Sequence, residues 1–438
     1  MKKTILLLVM FSVALFSQEN LSVFTLQELL RLAEENNLQL KNVYSAIKSA
    51  VLTREENFTR FLPRVSSSAS YTYLGTPPEI SFPGMPEPLQ LTKPGLYSFT
   101  LTVSQPVFTG GFLTANFRAS AESVKSAAYQ YQSSKHNLFL QVARGYFAIL
   151  KARRAVEVTR ELKKQAEQHR QVASSLFEQG LATRLDILKT DVFLAEVSKN
   201  IVETENALRL ARASLGHLVN QEFPEEFQVV DILEVYHPEI PLEKWQNQAV
   251  ANRPELDLLR VNRKIAEEGV TIAKSSYYPK VSLAWNLTEE KGTQSSLSHW
   301  RPAWSLIWAA NLDIWNWQAT RYQVDKARLQ VQQVETSYQL LLSTIALEVK
   351  TAYLNWQAAK ERIKVTQAVL KEAEENLRLT NLAFREGLTS TTEVVDAQVA
   401  LSQARHSYYQ AWYDYQVAYA ELRYSVGSPF ANHTLTIP

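Results

Sequence analysis

Two long stretches without proline constrain this chain more than any other feature of its sequence. Residues 107–223 and 303–428 contain none of the 16 prolines, and together they make up more than half of the 438 residues. Because proline breaks the interior of a helix, each stretch can form long helices with few interruptions. The sequence therefore predicts a mostly helical protein. The absence of cysteine excludes a disulfide-stabilised scaffold.

The first 18 residues have the composition of an export signal. Lys2 and Lys3 precede an apolar run over residues 5–16, and Ser17 stands before Gln18. The run is shorter than the roughly 20 residues that a membrane helix needs, so we predict a removed signal peptide over residues 1–18. Its removal would leave equal numbers of acidic and basic residues. That balance gives no electrostatic reason to expect a nucleic acid partner.

The remainder of the chain contains an internal duplication. At an offset of 207, residues 177–181 align with 384–388, and at an offset of 216, residues 62–66 align with 278–282. The difference between the offsets lies in a proline-rich loop over 75–95. A repeat of this length indicates two copies of one supersecondary unit. We therefore predict a first repeat over 19–220, a linker over 221–241, a second repeat over 242–427 and a C-terminal tail over 428–438.

The sequence patterns predict the same order of elements in each repeat: a helix, two strands, a very long helix, a turn at a glycine and a return helix. The predicted bounds in the first repeat are 25–60, 65–74, 96–107, 112–178 and 183–219. The predicted bounds in the second repeat are 242–277, 281–288, 304–314, 318–385 and 390–426.

The predicted strands alternate between apolar and polar residues. Tyr97, Phe99 and Leu101 share one face while Ser98 and Thr100 share the other. Such strands could form a soluble sandwich, but their length suits a bilayer and six of the nine tryptophans fall within 285–317, as in an interfacial belt. Four strands cannot close a barrel. Lipid exposure would therefore require assembly with further copies of the chain.

The long helices carry a seven-residue repeat of bulky side chains. In the second repeat, small residues such as Ala352 and Ala359 follow three positions after each bulky one. A sustained heptad predicts helices wound into a left-handed supercoil, with the small column allowing close approach of their backbones. The bulky column consists of Val349, Trp356, Ile363, Leu370, Leu377 and Phe384.

Taken together, these features resemble the TolC family of outer membrane efflux channels over essentially the whole mature chain. The resemblance rests on the duplicated strand pairs and helical hairpins, and on four short sequences in a fixed order. These are Asn-Arg-Pro-Glu-Leu at 252–256, Tyr-Pro at 278–279, Asp-Ile-Leu at 186–188 and Glu-Val-Val-Asp-Ala-Gln at 393–398. The resemblance implies a mostly α fold with a small β part. Long α-helical hairpins would form a trimeric α-barrel, continued by a trimeric 12-stranded transmembrane β-barrel with four strands per chain.

The resemblance also implies a function. The protein would be a passive exit duct of a tripartite efflux or type I secretion system, located in the outer membrane with a long periplasmic extension. Its partners would be two further copies of itself, a periplasmic adaptor, an inner membrane pump and outer membrane lipid, with no enzymatic activity and no cofactor. A periplasmic adaptor and a soluble coiled-coil scaffold are the alternatives. The transported cargo is left open by the sequence.

Two sets of residues carry the implied function. Three acids at the starts of the return helices, Asp186, Glu393 and Asp396, would form a pore gate at the periplasmic entrance. Asp186 and Glu393 also fit a helix-capping role, with a hydroxyl three residues earlier. At Thr389 the best studied family members have an arginine that latches the closed entrance, so the latch of this chain is left unassigned. The adaptor-contacting tips would be Gly180, Leu181, Ala182, Gly387, Leu388 and Thr389.

Overall fold

The computed structural model describes residues 23–84, 86, 88–224, 226–293 and 299–428. The predicted signal peptide and residues 429–438 of the predicted tail lie outside the described residues. The described chain is mostly helical with a small strand part, which confirms the predicted fold class of a single copy. Among the helices in the described ranges, none is both long enough and apolar enough to cross a membrane.

The elements follow the predicted order in both repeats, and the ends of all four longest helices lie within one residue of the predicted positions. The first set comprises β1 (Val23–Phe24), α1 (Leu26–Asn36), α2 (Leu38–Thr59), β2 (Arg64–Tyr73), β3 (Glu79–Ile80), β4 (Leu89–Gln90), β5 (Gly95–Phe108), α3 (Phe112–Glu178) and α4 (Arg184–Val219). The second set comprises β6 (Gln228–Val229), α5 (Leu242–Asn252), α6 (Pro254–Lys274), a 3-10 turn (Ser275–Tyr277), β7 (Lys280–Lys291), β8 (Arg301–Asn311), α7 (Ala319–Arg385) and α8 (Thr391–Ser425).

The prediction of a single helix before the strands is wrong in both repeats. Asn37 separates α1 from α2 with φ −59° and ψ 123°, and Arg253 separates α5 from α6 with φ −72° and ψ 115°. These two positions are equivalent in the duplication. In the second repeat Pro254 excludes helical backbone at the preceding residue. In the first repeat, the Asn37 side-chain amide donates a 2.8 Å hydrogen bond to the Leu218 carbonyl, which holds the break in place.

Four strands form one antiparallel sheet in the order β2-β5-β7-β8. The predicted bounds of β8 are wrong by three residues, because the strand begins at Arg301 and includes Pro302. A proline is tolerated there because β8 is an edge strand, where one side of the backbone has no ladder to complete. The four strand ends that connect to helices all lie at the same end of this sheet.

The two faces of the sheet differ in chemistry. On one face, the Thr102 hydroxyl donates a 2.8 Å hydrogen bond to the Asn286 amide oxygen, within a surface rich in serine and threonine. On the other face, Trp304, Leu306 and Trp308 of β8 are 72%, 53% and 65% exposed. An exposed apolar surface of this size indicates a contact with lipid or another protein.

The described chain forms two compact units, and each draws on both repeats. The first unit contains α1, the segment Phe139–Pro238 and the segment Asn355–Ala420. The second contains Leu38–Leu138, Glu239–Leu354 and the chain from Glu421. The four-stranded sheet therefore belongs to the second unit, and both glycine turns belong to the first.

The bulky heptad columns lie on the buried side of α7 and α8, with Leu370 half-buried. On α8, both the bulky column and the alanine column at its side are buried. Small side chains at every seventh position let helices pack closely along their length. The fully or nearly fully buried members of the columns on α7 and α8 are Val349, Trp356, Ile363, Val394, Ala397, Leu401, Ala404, Ala411, Tyr415 and Leu422.

In the second unit, Arg253 is a buried cation at the centre of a polar cluster. The residue is 5% exposed, its Nε lies 3.4 Å from the Glu255 carboxylate, and its Nη2 donates a hydrogen bond to Glu348. Its guanidinium carbon lies 5.7 Å from the centre of the Tyr424 ring. Ser133 of α3 joins the cluster through a 2.8 Å hydrogen bond from its hydroxyl to Glu255. One arginine thus connects the start of α6 to α7 and to the end of α8.

His136, close to this cluster, makes stability depend on pH. Burial lowers its pKa from 6.5 to about 4, although Glu255 opposes the shift. Because the unfolded chain binds the proton more readily, the contribution of His136 to stability should be constant above about pH 6.5 and fall as the pH drops from there towards 4. Over this range the loss should reach about 3 kcal/mol per chain. Thermal unfolding of His136→Gln should lose most of this pH dependence, whereas the exposed His217→Gln should keep it.

The bends between strand and helix show why glycine is needed in one repeat. Gly110 and Gly111 have φ values of +62° and +88°, and the equivalent Trp317 and Gln318 adopt +54° and +67° despite their side chains. A Cβ on Gly110 would lie 2.7 Å from the Ser275 carbonyl oxygen, closer than real Cβ contacts allow. A Cβ on Gly111 would meet no atom within 4 Å. Close packing therefore fixes Gly110, while only backbone conformation favours Gly111.

Gly110→Ala should lower the free energy of unfolding by about 2 kcal/mol, because backbone strain adds to the clash. Gly111→Ala should cost about 1 kcal/mol, since only the left-handed backbone is strained. Thermal unfolding of the two purified variants measures the difference. Equal losses in both would show that the packing against Ser275 is not the cause.

Candidate functional site

Both long helices end in the same glycine turn. The Gly180 N–H donates to the Phe177 carbonyl at 2.9 Å and the Leu181 N–H to the Leu176 carbonyl at 2.8 Å. This is the Schellman arrangement, in which a left-handed glycine satisfies the last carbonyls of a helix. Gly387 and Leu388 repeat these bonds, and the two glycines have φ values of +74° and +71°. The duplication therefore preserves the hydrogen bonds of the turn as well as its sequence.

The residues after each glycine present a small exposed surface. Leu181 and Leu388 are 73% and 80% exposed, while Ala182 and Thr389 are half-buried. A large apolar side chain projecting from a tight turn is costly to leave in water, so its exposure marks these turns as candidate contact points.

Asp186 caps the return helix α4, as its spacing from Thr183 predicts. The Thr183 side chain accepts from the Asp186 N–H at 3.3 Å, and the Asp186 carboxylate accepts from the Thr183 N–H at 3.0 Å. Hydrogen bonds from the Thr183 hydroxyl and then its N–H hold the pKa of Asp186 below its ordinary value. The carboxylate therefore stays charged down to lower pH than an isolated aspartate.

The structure brings the starts of the two return helices together. The Lys189 ammonium of α4 donates a 3.0 Å hydrogen bond to the Thr392 hydroxyl of α8. A hydrogen bond from the buried Thr391 also contributes to the lowered pKa of Asp186. Charged side chains of both signs, Asp186 and Lys189, thus link the starts of the two return helices within nine residues of the glycines.

Glu393 and Asp396 lie on the exposed surface of α8. Their spacing of three places them on one face of the helix. The Glu393 N–H donates to the Ser390 carbonyl at 3.1 Å, which places the glutamate in the first turn of α8. Asp186, in contrast, is half-buried and engaged in its capping bonds. The exposed predicted acids are therefore the two on α8.

A buried polar layer lies beneath the tips. His169 of α3 is 6% exposed, and its ring meets Phe384 of α7 edge-on at 4.8 Å. Burial lowers the pKa of His169, which Asp186 opposes. In the same unit, the buried Gln398 of α8 donates a 3.3 Å hydrogen bond to the Gln165 carbonyl of α3. A neutral imidazole and an amide thus interrupt the apolar packing close to the tips.

A groove of about 440 Å³ runs beside these contacts, between the starts of α4 and α8. Its apolar wall is exposed, with Leu185 at 59%, Leu188 at 50% and Val192 at 60%. Among the described residues, no group of three or more His, Asp or Glu side chains could hold a metal ion. The residues lining the groove are Leu185, Leu188, Lys189, Val192, Phe193, Glu196, Thr392 and Val395.

The sequence does not identify several residues of this region. Lys189, Thr391 and His169 carry no local motif, and the contact of Lys189 with Thr392 joins residues 203 positions apart. Such a contact becomes visible only when the two hairpins are folded side by side.

Comparisons with known proteins cover most of the chain. A sequence model described as "Outer membrane efflux protein" matches residues 29–221 and 245–428. The Outer membrane protein TolC of Vibrio cholerae is 22% identical over 417 residues, covering 92% of this chain and 90% of the relative. The Alkaline protease secretion protein AprF of Pseudomonas aeruginosa is 21% identical over 340 residues, covering 76% and 69%. The crystal structure of the CmeC outer membrane channel of Campylobacter jejuni superimposes with a TM-score of 0.78 at 18% identity, covering 94% of this chain and 87% of that one.

Proposed function

This chain belongs to the outer membrane efflux protein family, and we propose that three copies of it form the exit duct of a tripartite efflux or type I secretion system. Like its relatives, it is an outer membrane channel with a periplasmic extension. Our proposal extends to the trimer, to its contact with lipid, and to an adaptor and a pump as its partners. The proposed role is passive conduction and involves no reaction of the chain itself.

The main observation in support of a trimer is the open four-stranded sheet. β2 and β8 are edge strands, and the sheet has one apolar and one hydroxyl-rich face. Unpaired backbone groups are costly in lipid, so a sheet of this kind needs partners at both edges. Three copies would supply twelve strands, which would close a barrel with the tryptophans of β8 outside and the hydroxyls inside.

Exposed aliphatic rows on the long helices support the same assembly. On α4 and on α7 of the first unit, these residues recur at spacings of three, four, eight or fourteen, as on one helix face. Packing copies side by side would bury both rows, which a single copy leaves in water. The rows consist of Leu185, Leu188, Val192, Val202 and Leu210 on α4, and Val365, Val369, Leu379 and Leu382 on α7.

The glycine turns would be the end that meets the periplasmic adaptor and, through it, the inner membrane pump. Their support is the exposure of Leu181 and Leu388, with Gly180, Ala182, Gly387 and Thr389 shaping the two turns. The gate would lie six to nine residues after the glycines, where Glu393 and Asp396 are exposed and Asp186 is hydrogen-bonded to Thr391. The Lys189–Thr392 hydrogen bond would contribute to the closed position of the entrance.

Introduced cysteines test these partners without interference, because the chain has none of its own. A cysteine at Leu181 or Leu388 should crosslink to the adaptor in intact cells, whereas one at the buried Leu401 should not. In the same cells, fractionation should recover the protein with outer membranes as a heat-sensitive trimer. Recovery as a soluble periplasmic monomer would favour the adaptor or scaffold alternatives and contradict the proposal.

A further inference from the structure

The two repeats place a basic residue at the same position of their first strands. Arg64 begins β2 and Lys280 begins β7. Arg64 pairs with Ser104 and Lys280 pairs with Asn311, which are again equivalent positions. The duplication has therefore kept a positive charge, the strand register and a polar cross-strand neighbour, while changing the identity of each residue.

Both cations lie on the hydroxyl-rich face of the sheet. Ser66, two residues after Arg64, pairs with Thr102, whose hydroxyl bonds Asn286 of β7 on that face. Lys280 is an even number of residues before Asn286, and β7 runs against β8 without a bulge between them. Because side chains alternate along a strand, both residues point to the same side as Thr102.

Arg64 and Lys280 are also free to bind an anion. Both are exposed, and in the described ranges neither forms an ion pair. The nearest acid in sequence to the partner of Lys280 is Asp313, which lies beyond the end of β8. Both cations lie at the end of the sheet where the chain enters β2 from α2 and β7 from α6. The helical and stranded parts of the chain join at this end.

The rest of this face is close to neutral. Its central cross-strand rows carry serine, threonine, asparagine and alanine, as in the row Ser68, Thr100, Thr288 and Ala303. At the far end, Glu290 stands directly opposite Arg301, so that their charges offset each other. On this face of the described sheet, Arg64 and Lys280, at the end connected to the helices, are thus the only charges without a cross-strand countercharge.

We propose that Arg64 and Lys280 form a ring of six cations inside the channel, three from each position, which binds anionic groups of the carboxylate or phosphate class as cargo passes from the helical tunnel into the membrane. The proposal rests on the proposed trimer, because a single copy has no lumen. Six like charges in a confined pore concentrate anions and repel cations. The ring would be opposite in sign to the gate acids Glu393 and Asp396, so that the duct would present two filters in series.

Recordings from the purified protein in planar bilayers test the ring. In a KCl gradient, Arg64→Ser with Lys280→Ser should shift the reversal potential towards greater cation preference, and Arg64→Glu with Lys280→Glu should shift it further in that direction. Inorganic triphosphate added on the side opposite the tips should block the native channel, with at least tenfold weaker block of the serine variant.

Two controls separate the outcomes. Lys291→Ser with Lys48→Ser also removes two positive charges, but from positions outside the hydroxyl-rich face and its helix-connected end. This variant should leave the reversal potential and the triphosphate block unchanged. Arg64→Lys with Lys280→Arg should behave like the native protein, which excludes an effect of misfolding. Unchanged selectivity and block in the serine and glutamate variants would overturn the ring while leaving the channel intact. Absence of any conductance from the native protein would instead overturn the proposed function.

Discussion

Replacing Arg253 with methionine is expected to cost about 3 kcal/mol of stability per chain and to deplete assembled protein from the membrane. The side chain is 6% exposed and is shared between Glu255 and Glu348. Removing the cation leaves two carboxylates close together around a buried site, and breaking a buried pair from one side typically costs 3–5 kcal/mol. We place the loss at the lower end because Glu348 is 46% exposed. The midpoint of thermal unfolding and the amount of heat-sensitive trimer measure it.

Arg260→Met, on the helix that begins directly after Arg253, is the matched control. Arg260 is 51% exposed and contacts Asp257 at 2.8 Å and Tyr338 at 3.1 Å. An exposed ion pair of this kind contributes less than about 1 kcal/mol. If the two variants lose equal stability, burial is not what makes Arg253 important. A third variant, Arg253→Lys, should recover only part of the loss, because a lysine cannot contact both carboxylates with a planar group.

Neutralising Glu393 and Asp396 together is expected to reduce the cation preference of the channel by roughly fivefold. Both side chains are exposed on one face of α8, and three copies would bring six carboxylates to the entrance. A unit charge about 4 Å away in water interacts by about 1 kcal/mol, which corresponds to this factor. Reversal potentials of Glu393→Gln with Asp396→Asn in planar bilayers provide the measurement.

A control for this pair removes as many charges elsewhere. Glu203→Gln with Glu372→Gln changes exposed residues of α4 and α7 outside the return-helix starts. This variant should keep the native selectivity. A native selectivity in the Glu393 and Asp396 variant would remove these two residues as the filter, and Asp186 would then be the one predicted gate acid left to test.

The sequence predicts the long elements of this fold well because their patterns are periodic. The bounds of α3 match the prediction in full, and the bulky heptad columns of α7 and α8 are buried except for the half-buried Leu370. The break at Arg253 could have been predicted from Pro254, which excludes helical backbone at the residue before it. The equivalent break at Asn37 has no such signal, since a hydrogen bond to Leu218 holds it.

Long-range contacts limit what could be predicted for the site. The Thr183–Asp186 cap was visible because its residues lie three positions apart. The Lys189–Thr392 hydrogen bond was not, because nothing in the local sequence pairs the two hairpins. For β8, the predicted start at residue 304 left out Pro302, which the strand includes because its edge position tolerates a proline. The pore role of Glu393 and Asp396 stays a prediction.

The most direct test of the exit duct is the conductance of the purified, heat-sensitive trimer in a planar lipid bilayer. We expect discrete single-channel steps from the trimer, lost after heating to monomers. Cysteines at Leu188 and Leu379, which lie on the two exposed rows at the same distance in sequence from their glycine turns, should crosslink different copies in the same preparation. A stable monomer that stays soluble without detergent and gives no conductance would contradict the account.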